Sequence, residues 1–108
     1  MSREFKESDW KLLRKLQPIA LERHCQRILA EVQYLASDPE RTSHERYLAV
    51  YQAINNRNKE IAEAFDALSR SRALLKLARM KSLGLLTDEE IARFSDATRE
   101  AIQFLAAS

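Results

Sequence analysis

Glycine is nearly missing from this sequence: Gly84 is the one glycine in 108 residues, where average usage would give about eight. Asn-Gly hairpins, dinucleotide-binding fingerprints and P-loops all depend on glycine, because they need positive φ angles or close backbone approach to a phosphate. The shortage excludes most nucleotide-binding enzymes and argues against tight β-hairpins.

Cysteine is also scarce, long apolar runs are missing and the net charge is small. Cys25 is the single cysteine, so an internal disulfide is excluded and a reducing compartment is expected. The N-terminal residues lack the apolar run of a signal peptide, and no stretch approaches the ~18 apolar residues of a membrane helix. The net charge of +2 does not by itself favour nucleic acid or anionic lipid. We therefore expect a cytoplasmic protein.

What the chain does contain is 45% hydrophobic and 31% charged residues, which is typical of a folded globular protein. Its length suits one hydrophobic core, so a single domain over residues 1–108 is expected. The apolar residues recur at three- and four-residue intervals, which predicts an all-α fold.

The first half of the sequence predicts two helices separated at Pro18. Ser8 is expected to cap a helix that ends near Gln17, because proline disfavours helical geometry at the preceding residue and suits the first position of a new helix. The second helix has an apolar face that ends before Ser37-Asp38-Pro39. That face consists of Leu21, Cys25, Ile28, Val32 and Leu35, widened by Ile19 and Leu29.

Two capping boxes, Thr42–Glu45 and Thr87–Glu90, mark later helix starts. Between them the apolar rhythm runs from Tyr47 to Leu83 without glycine or proline, which predicts one long helix closed by Gly84. Such a rod would be about 60 Å long, too long for a compact domain of this size. A bend or short loop at Asn55–Asn58, where three asparagines lower helix propensity, is therefore the alternative.

Together these segments predict a small antiparallel bundle of four or five helices built around the long helix. Residues 19–37 would pack on its first half, and the C-terminal helices, the last capped by Ser95-Asp96, on its second half. The helix with Trp10 would cover an end or flank. Tyr47 and Tyr51 are spaced with the core stripes, so we interpret them as packing residues rather than base-stacking platforms.

The sequence offers no set of residues that could converge for catalysis. His24 and Cys25 are adjacent and point about 100° apart on a helix, so we expect a core cysteine beside a surface histidine. His44 lies in a capping box, and the Glu-x-x-His repeats of di-metal bundles are absent. We therefore predict no catalytic residue, no metal and no cofactor.

The most unusual segment is SRSRALLKLARMKS, residues 69–82, which carries a local charge of +5 and no acidic residue. Its cations are candidates for contacts with phosphate or with a partner: Arg70, Arg72, Lys76, Arg79 and Lys81. Acids on neighbouring turns, such as Glu63 and Asp66, could equally neutralise them.

The same segment is apolar on more than one side, through Leu74, Leu75, Leu77 and Met80. This arc is wider than one helix–helix contact covers, so it either lies inside the bundle or meets a second chain. The leading hypothesis is a non-enzymatic helical protein–protein interaction or oligomerisation module that forms a homodimer through this arc. The alternative is a nucleic-acid-associated regulatory protein that uses the basic 70–81 segment.

Residues Leu77–Phe94, LARMKSLGLLTDEEIARF, are similar to the bacterial short C-terminal domain. That pattern is a helix, Gly, two Leu or Ile residues, Thr, an acidic pair and a second helix. The similarity covers about a sixth of the chain. The resemblance implies a small interaction or oligomerisation module and transfers no catalytic residue.

Overall fold

A computed structural model describes residues 5–106, which form five α-helices and contain no strand. The helices are α1 (Glu7–Ala36), α2 (Ser43–Phe65), α3 (Ala73–Ser82), α4 (Asp88–Ala92) and α5 (Asp96–Ala106), with a 3-10 turn at Arg70–Arg72. The predicted all-α antiparallel bundle is confirmed. Within the described range, no helix has both the length and the apolarity that a membrane span requires.

Helix α1 continues through Pro18, so the predicted helix end near Gln17 is wrong. Its N-cap is Lys6 rather than Ser8. Pro18 is exposed, which places the carbonyl that loses its helical partner on the solvent side, where water can satisfy it. Leu13, Leu16 and Ala20 are buried on both sides of the proline. Their packing against one core keeps the two parts of α1 in line.

The predicted unbroken helix from Ser43 to Leu83 is also wrong, and the break does not fall at Asn55–Asn58, which lies inside α2. The three asparagines are exposed there and cost the helix little. The chain turns after Phe65, where Ala67 has a φ of 56°. This turn lets buried residues on both α2 and α3 reach the same core, which one straight rod cannot do. The long helix of the bundle is therefore α1.

The other predicted helix ends are confirmed. Both capping boxes form: in the second, the Thr87 N–H donates to Glu90 Oε1 over 2.8 Å and the Glu90 N–H donates to Thr87 Oγ1 over 3.1 Å. Gly84 has a φ of 71° just after α3. Its N–H donates to the Lys81 carbonyl, and the Leu85 N–H donates to the Met80 carbonyl. These paired bonds form a Schellman motif, which needs the left-handed conformation at Gly84.

The hydrophobic core lies at one end of an elongated molecule of 58 × 24 × 24 Å. Its buried residues come from the first half of α1 and from the chain after residue 63: Phe5, Leu13, Leu16, Ala20, Ala64, Phe65, Ala73, Leu77, Met80, Leu85, Leu86, Phe94 and Ile102. Between Cys25 and Glu60, Ala53 is the one buried side chain. The distal part of the α1–α2 hairpin, residues 25–60, therefore extends beyond the core.

Two arginines on α1 hold the turn between α3 and α4. Arg23 binds both carboxylate oxygens of Glu90, at 2.7 and 2.9 Å, and also donates to the Leu85 carbonyl. Arg27 donates to the carbonyls of Leu83 and Gly84 at 2.9 and 2.7 Å. The hydrogen bond from Arg23 is the largest cause that lowers the pKa of Glu90, to about 2. The capping acid of α4 thus also ties the C-terminal helices to α1.

Asp9 connects the start of α1 to the start of α5. Its buried carboxylate accepts hydrogen bonds from the Ser95 N–H at 2.9 Å, from Ser95 Oγ at 2.6 Å and from Thr98 Oγ1 at 2.7 Å. Burial by itself raises the pKa of Asp9, but these hydrogen bonds outweigh it, so the pKa lies below its ordinary value. The carboxylate therefore adds a charged acceptor to the N-terminus of α5.

We predict that Asp9→Asn destabilises the protein by about 1–3 kcal/mol at neutral pH, because the amide cannot accept three hydrogen bonds as an anion does. The folded-state pKa of Asp9 is depressed, so its contribution is present above the unfolded-state pKa and is lost as the pH falls through the folded-state pKa. Urea unfolding at several pH values between 7 and 2 should show the gap between wild type and variant narrowing with acidity. A gap that stays constant would contradict this role.

Candidate protein-interaction surface

The basic stripe predicted on residues 70–81 is dispersed by contacts inside the chain. Arg70 donates to the Phe5 carbonyl and to Glu7 Oε1 at 2.7 and 2.9 Å. Lys76 Nζ donates to the backbone carbonyls of Ala62 and Glu63 at the end of α2.

The remaining cations of the segment do not form a common surface with them. Arg79 Nε lies 3.1 Å from Glu63 Oε2, so Glu63 neutralises this cation, which is the alternative given in the sequence analysis. Arg72 is exposed, and Lys81 is half-buried beside Asp88 and Ile91. Three of the five cations therefore hold the turn between α2 and α3 or the start of α1, which leaves no continuous basic stripe.

The apolar arc predicted for self-association belongs mostly to the core. Leu77 and Met80 have no exposed surface, and Leu74 is partly buried against them. Of the four arc residues, only Leu75 is exposed, at 64%. Helix α5 packs along α3, with Ile102 fully buried between them. The proposal that Leu77 and Met80 meet a second chain is therefore wrong for this fold.

Exposed apolar side chains are instead concentrated on the distal hairpin. Nine large hydrophobic residues are exposed among residues 5–106, and six of them lie in this part of α1 and α2: Leu29, Tyr34, Tyr47, Leu48, Tyr51 and Ile54. The tyrosines at 47 and 51 are 65% and 60% exposed. The prediction that Tyr47 and Tyr51 are core residues is therefore wrong.

Four of these six residues share one side of the hairpin. Each residue turns a helix by about 100°, so Cys25, Leu29 and Val32 lie on one flank of α1, beside the face that meets α2. Tyr47, Tyr51 and Ile54 lie on the corresponding flank of α2.

The register of the two antiparallel helices places these flanks side by side. Arg57 pairs with Glu31, and Arg46 donates to the Ala36 carbonyl, so Leu29 lies level with Ile54 and Val32 level with Tyr51. We call this surface the hairpin face: Cys25, Leu29, Val32, Tyr47, Tyr51 and Ile54.

The opposite side of the hairpin carries charged residues that pair with one another. Arg57 binds Glu31 at 3.0 Å and Glu60 at 2.7 Å. The hydrogen bond from Arg57 is the largest cause that lowers the pKa of Glu31. These residues line a shallow groove of about 290 Å³ that also borders Arg27 and Leu83. Because its charges satisfy one another, the groove is not a strong site for an ionic ligand.

His24 occupies the inner end of this groove and is buried, whereas Cys25 is only partly buried. The expectation of a core cysteine beside a surface histidine is therefore wrong. The spacing of four from Leu16 to Ala20 to His24 explains the change, because it continues the buried face of α1. His24 Nε2 lies 3.3 Å from Glu60 Oε1, but neither ring nitrogen makes a hydrogen bond.

In the part of the chain that the structure describes, no group of three or more His, Cys, Asp or Glu residues could hold a metal ion. Comparisons with protein-family models, with curated proteins and with solved structures give no match to this chain. The proposed function therefore rests on the surfaces of this structure.

Periodicity alone did not reveal the hairpin face. Leu29, Val32, Tyr47, Tyr51 and Ile54 fit a helical stripe as core residues do. A usable signal was the width of these stripes, because each helix presents apolar residues on its inner face and also on one flank. Two helices bury only the inner faces against each other, so the flanks need a third layer.

We predict that two leucines of α3 differ sharply when each is replaced by alanine. Leu77→Ala should lower the free energy of unfolding by about 2–5 kcal/mol, because it leaves a cavity in the core. Leu75→Ala, the control at an exposed position, should change it by less than about 0.5 kcal/mol. Chemical denaturation of both variants measures the difference. Equal effects would show that α3 does not pack as described.

Proposed function

We propose that this protein is a non-enzymatic helical interaction module that binds another protein surface through the hairpin face. The observation that carries the proposal is the clustering of exposed apolar side chains on the part of the hairpin that lies beyond the core. Soluble monomers rarely expose large contiguous apolar patches, and those that exist often mark contact sites. The hairpin face also contains two tyrosines, and tyrosine is a residue type that protein interfaces favour.

The fold also gives this face a stable support. The ion pair between Arg57 and Glu31 joins α2 to α1 on the side opposite the hairpin face, and Glu60 of α2 binds the same guanidinium. Arg23 and Arg27 hold α1 against the C-terminal helices. A helical hairpin anchored in this way presents its side chains in a fixed arrangement, which lowers the entropy cost of association.

The nucleic-acid alternative has less support. A phosphate-binding surface needs several free cations on one side of the molecule, whereas Arg70, Lys76 and Arg79 contact carbonyls and carboxylates of this chain. An enzymatic role also has less support, because residues 5–106 do not bring a nucleophile, a base and an orienting group together. A cytoplasmic location is part of the same proposal, because the single cysteine fits a reducing compartment.

Site-specific photo-crosslinking in the native host tests the interaction role. A benzoylphenylalanine at Tyr51 should give protein adducts, whereas the same probe at Leu75, which is equally exposed, should give few. Adding Leu29→Arg to the Tyr51 probe should remove the adducts, because a charge in the face opposes docking of an apolar surface.

Adducts in equal yield from Tyr51 and Leu75, or adducts that persist with Leu29→Arg, would contradict an interaction through the hairpin face. The thermal unfolding midpoint of each labelled protein serves as the control for folding.

A further inference from the structure

We propose that the partner of the hairpin face is a second copy of this chain, docked antiparallel about a two-fold axis. The inference rests on the proposed function and names its partner. Two hairpins packed face to face form a four-helix arrangement, in which each supplies the layer that the other lacks.

The exposed area on the face suits such a dimer. Leu29 is 61% exposed, Ile54 is 42% exposed, and both tyrosines are at least 60% exposed. At roughly 150–250 Å² for each fully exposed tyrosine, and somewhat less for leucine and isoleucine, the exposed parts of these four residues total on the order of 400 Å². Interfaces are about 60% apolar, so a patch with this apolar area spans about 700 Å² per partner once its polar rim is included. Standard stable interfaces bury roughly 600–1,000 Å² on each side.

The scarcity of charge around the hairpin face favours a copy of the same chain over a partner that would be recognised by opposite charge. Near the level of Leu29 and Ile54 the polar residues beside it are the exposed amides Gln26, Gln33, Asn55 and Asn58, while the charged Glu22 lies one turn further toward the core and accepts a hydrogen bond from Gln26. Close to a two-fold axis each residue meets its own copy, so a charge there would face a like charge. An amide rim avoids that repulsion and can hydrogen-bond to itself, because each amide carries both donors and an acceptor.

The sizes of the side chains set the direction of docking. Residues are large toward the hairpin tip, where Tyr51 lies level with Val32, and smaller toward the core, where Cys25 lies level with Asn58. An antiparallel pair centred on the level of Leu29 and Ile54 places each Tyr51 against the smaller level of the other copy. In this arrangement the two Leu29 side chains meet at the axis.

Sedimentation of the purified full chain tests the inference with two leucines of matched exposure. Wild type is expected to dimerise, with a dissociation constant below about 100 µM for an interface of this size. Leu29→Arg should raise that constant by at least about tenfold. Leu75→Arg, on α3, should leave it unchanged. Circular dichroism melting of the variants confirms that each remains folded.

A charge-pairing measurement tests the position of the axis. Leu29→Arg and Leu29→Glu should each be monomeric, and an equal mixture of the two should dimerise, because opposite charges then face each other. A mixture that stays monomeric overturns the meeting of the two Leu29 residues.

A wild-type chain that is monomeric at about 300 µM, or equal weakening by Leu29→Arg and Leu75→Arg, overturns the second-copy inference. If wild type is monomeric while the Tyr51 probe captures a different protein in cells, this inference fails and the proposed function stands. If neither dimer nor adduct forms, both fail.

Discussion

The extension of the α1–α2 hairpin beyond the core is the constraint on which the rest of this structure depends. Helix α1 has 30 residues and α2 has 23, whereas α3, α4 and α5 have 10, 5 and 11. The short helices cover only the part of the hairpin near Leu13, Leu16 and Ala64. Beyond Cys25 the two long helices bury only their inner faces, so their apolar flanks stay in contact with solvent.

The contacts that stabilise the covered end explain why the short helices stay there. Asp9 holds the start of α5, while Arg23 and Arg27 hold the turn that begins α4. All three side chains belong to α1, so one helix positions the starts of both α4 and α5. Hydrogen bonds to charged groups contribute more than those between neutral groups. The hairpin is therefore held firmly at its base, while its distal part carries an apolar surface that is exposed to solvent.

The sequence predicted the features that depend on local chemistry. Gly84 ends α3 because few other residues adopt its left-handed conformation, and the Thr42 and Thr87 boxes form because their partners lie three residues away. Features that depend on distant residues were not predictable in this way. Pro18 stays inside α1 because Leu13 and Ala20 pack on one core, and the turn after Phe65 forms because α3 must reach that core.

The candidate surface shows the same division. The unusual composition of residues 69–82 suggested a binding segment, yet Leu77 and Met80 are buried and Arg70 binds the backbone near α1. Tyr47 and Tyr51 have the spacing of core residues, yet both are exposed, because the described short helices pack at the other end of the hairpin. Periodicity records which residues share a face; it does not record whether the fold supplies a neighbour for that face.

Amide hydrogen exchange, measured at low and high protein concentration, tests the central claim most directly. If the core covers only one end and a second copy covers the rest, amides of residues 26–34 and 47–58 should exchange much faster than those of α3 at low concentration. Their exchange should slow as concentration rises, while that of α3 stays the same. Uniform protection of the whole hairpin at every concentration would contradict the account.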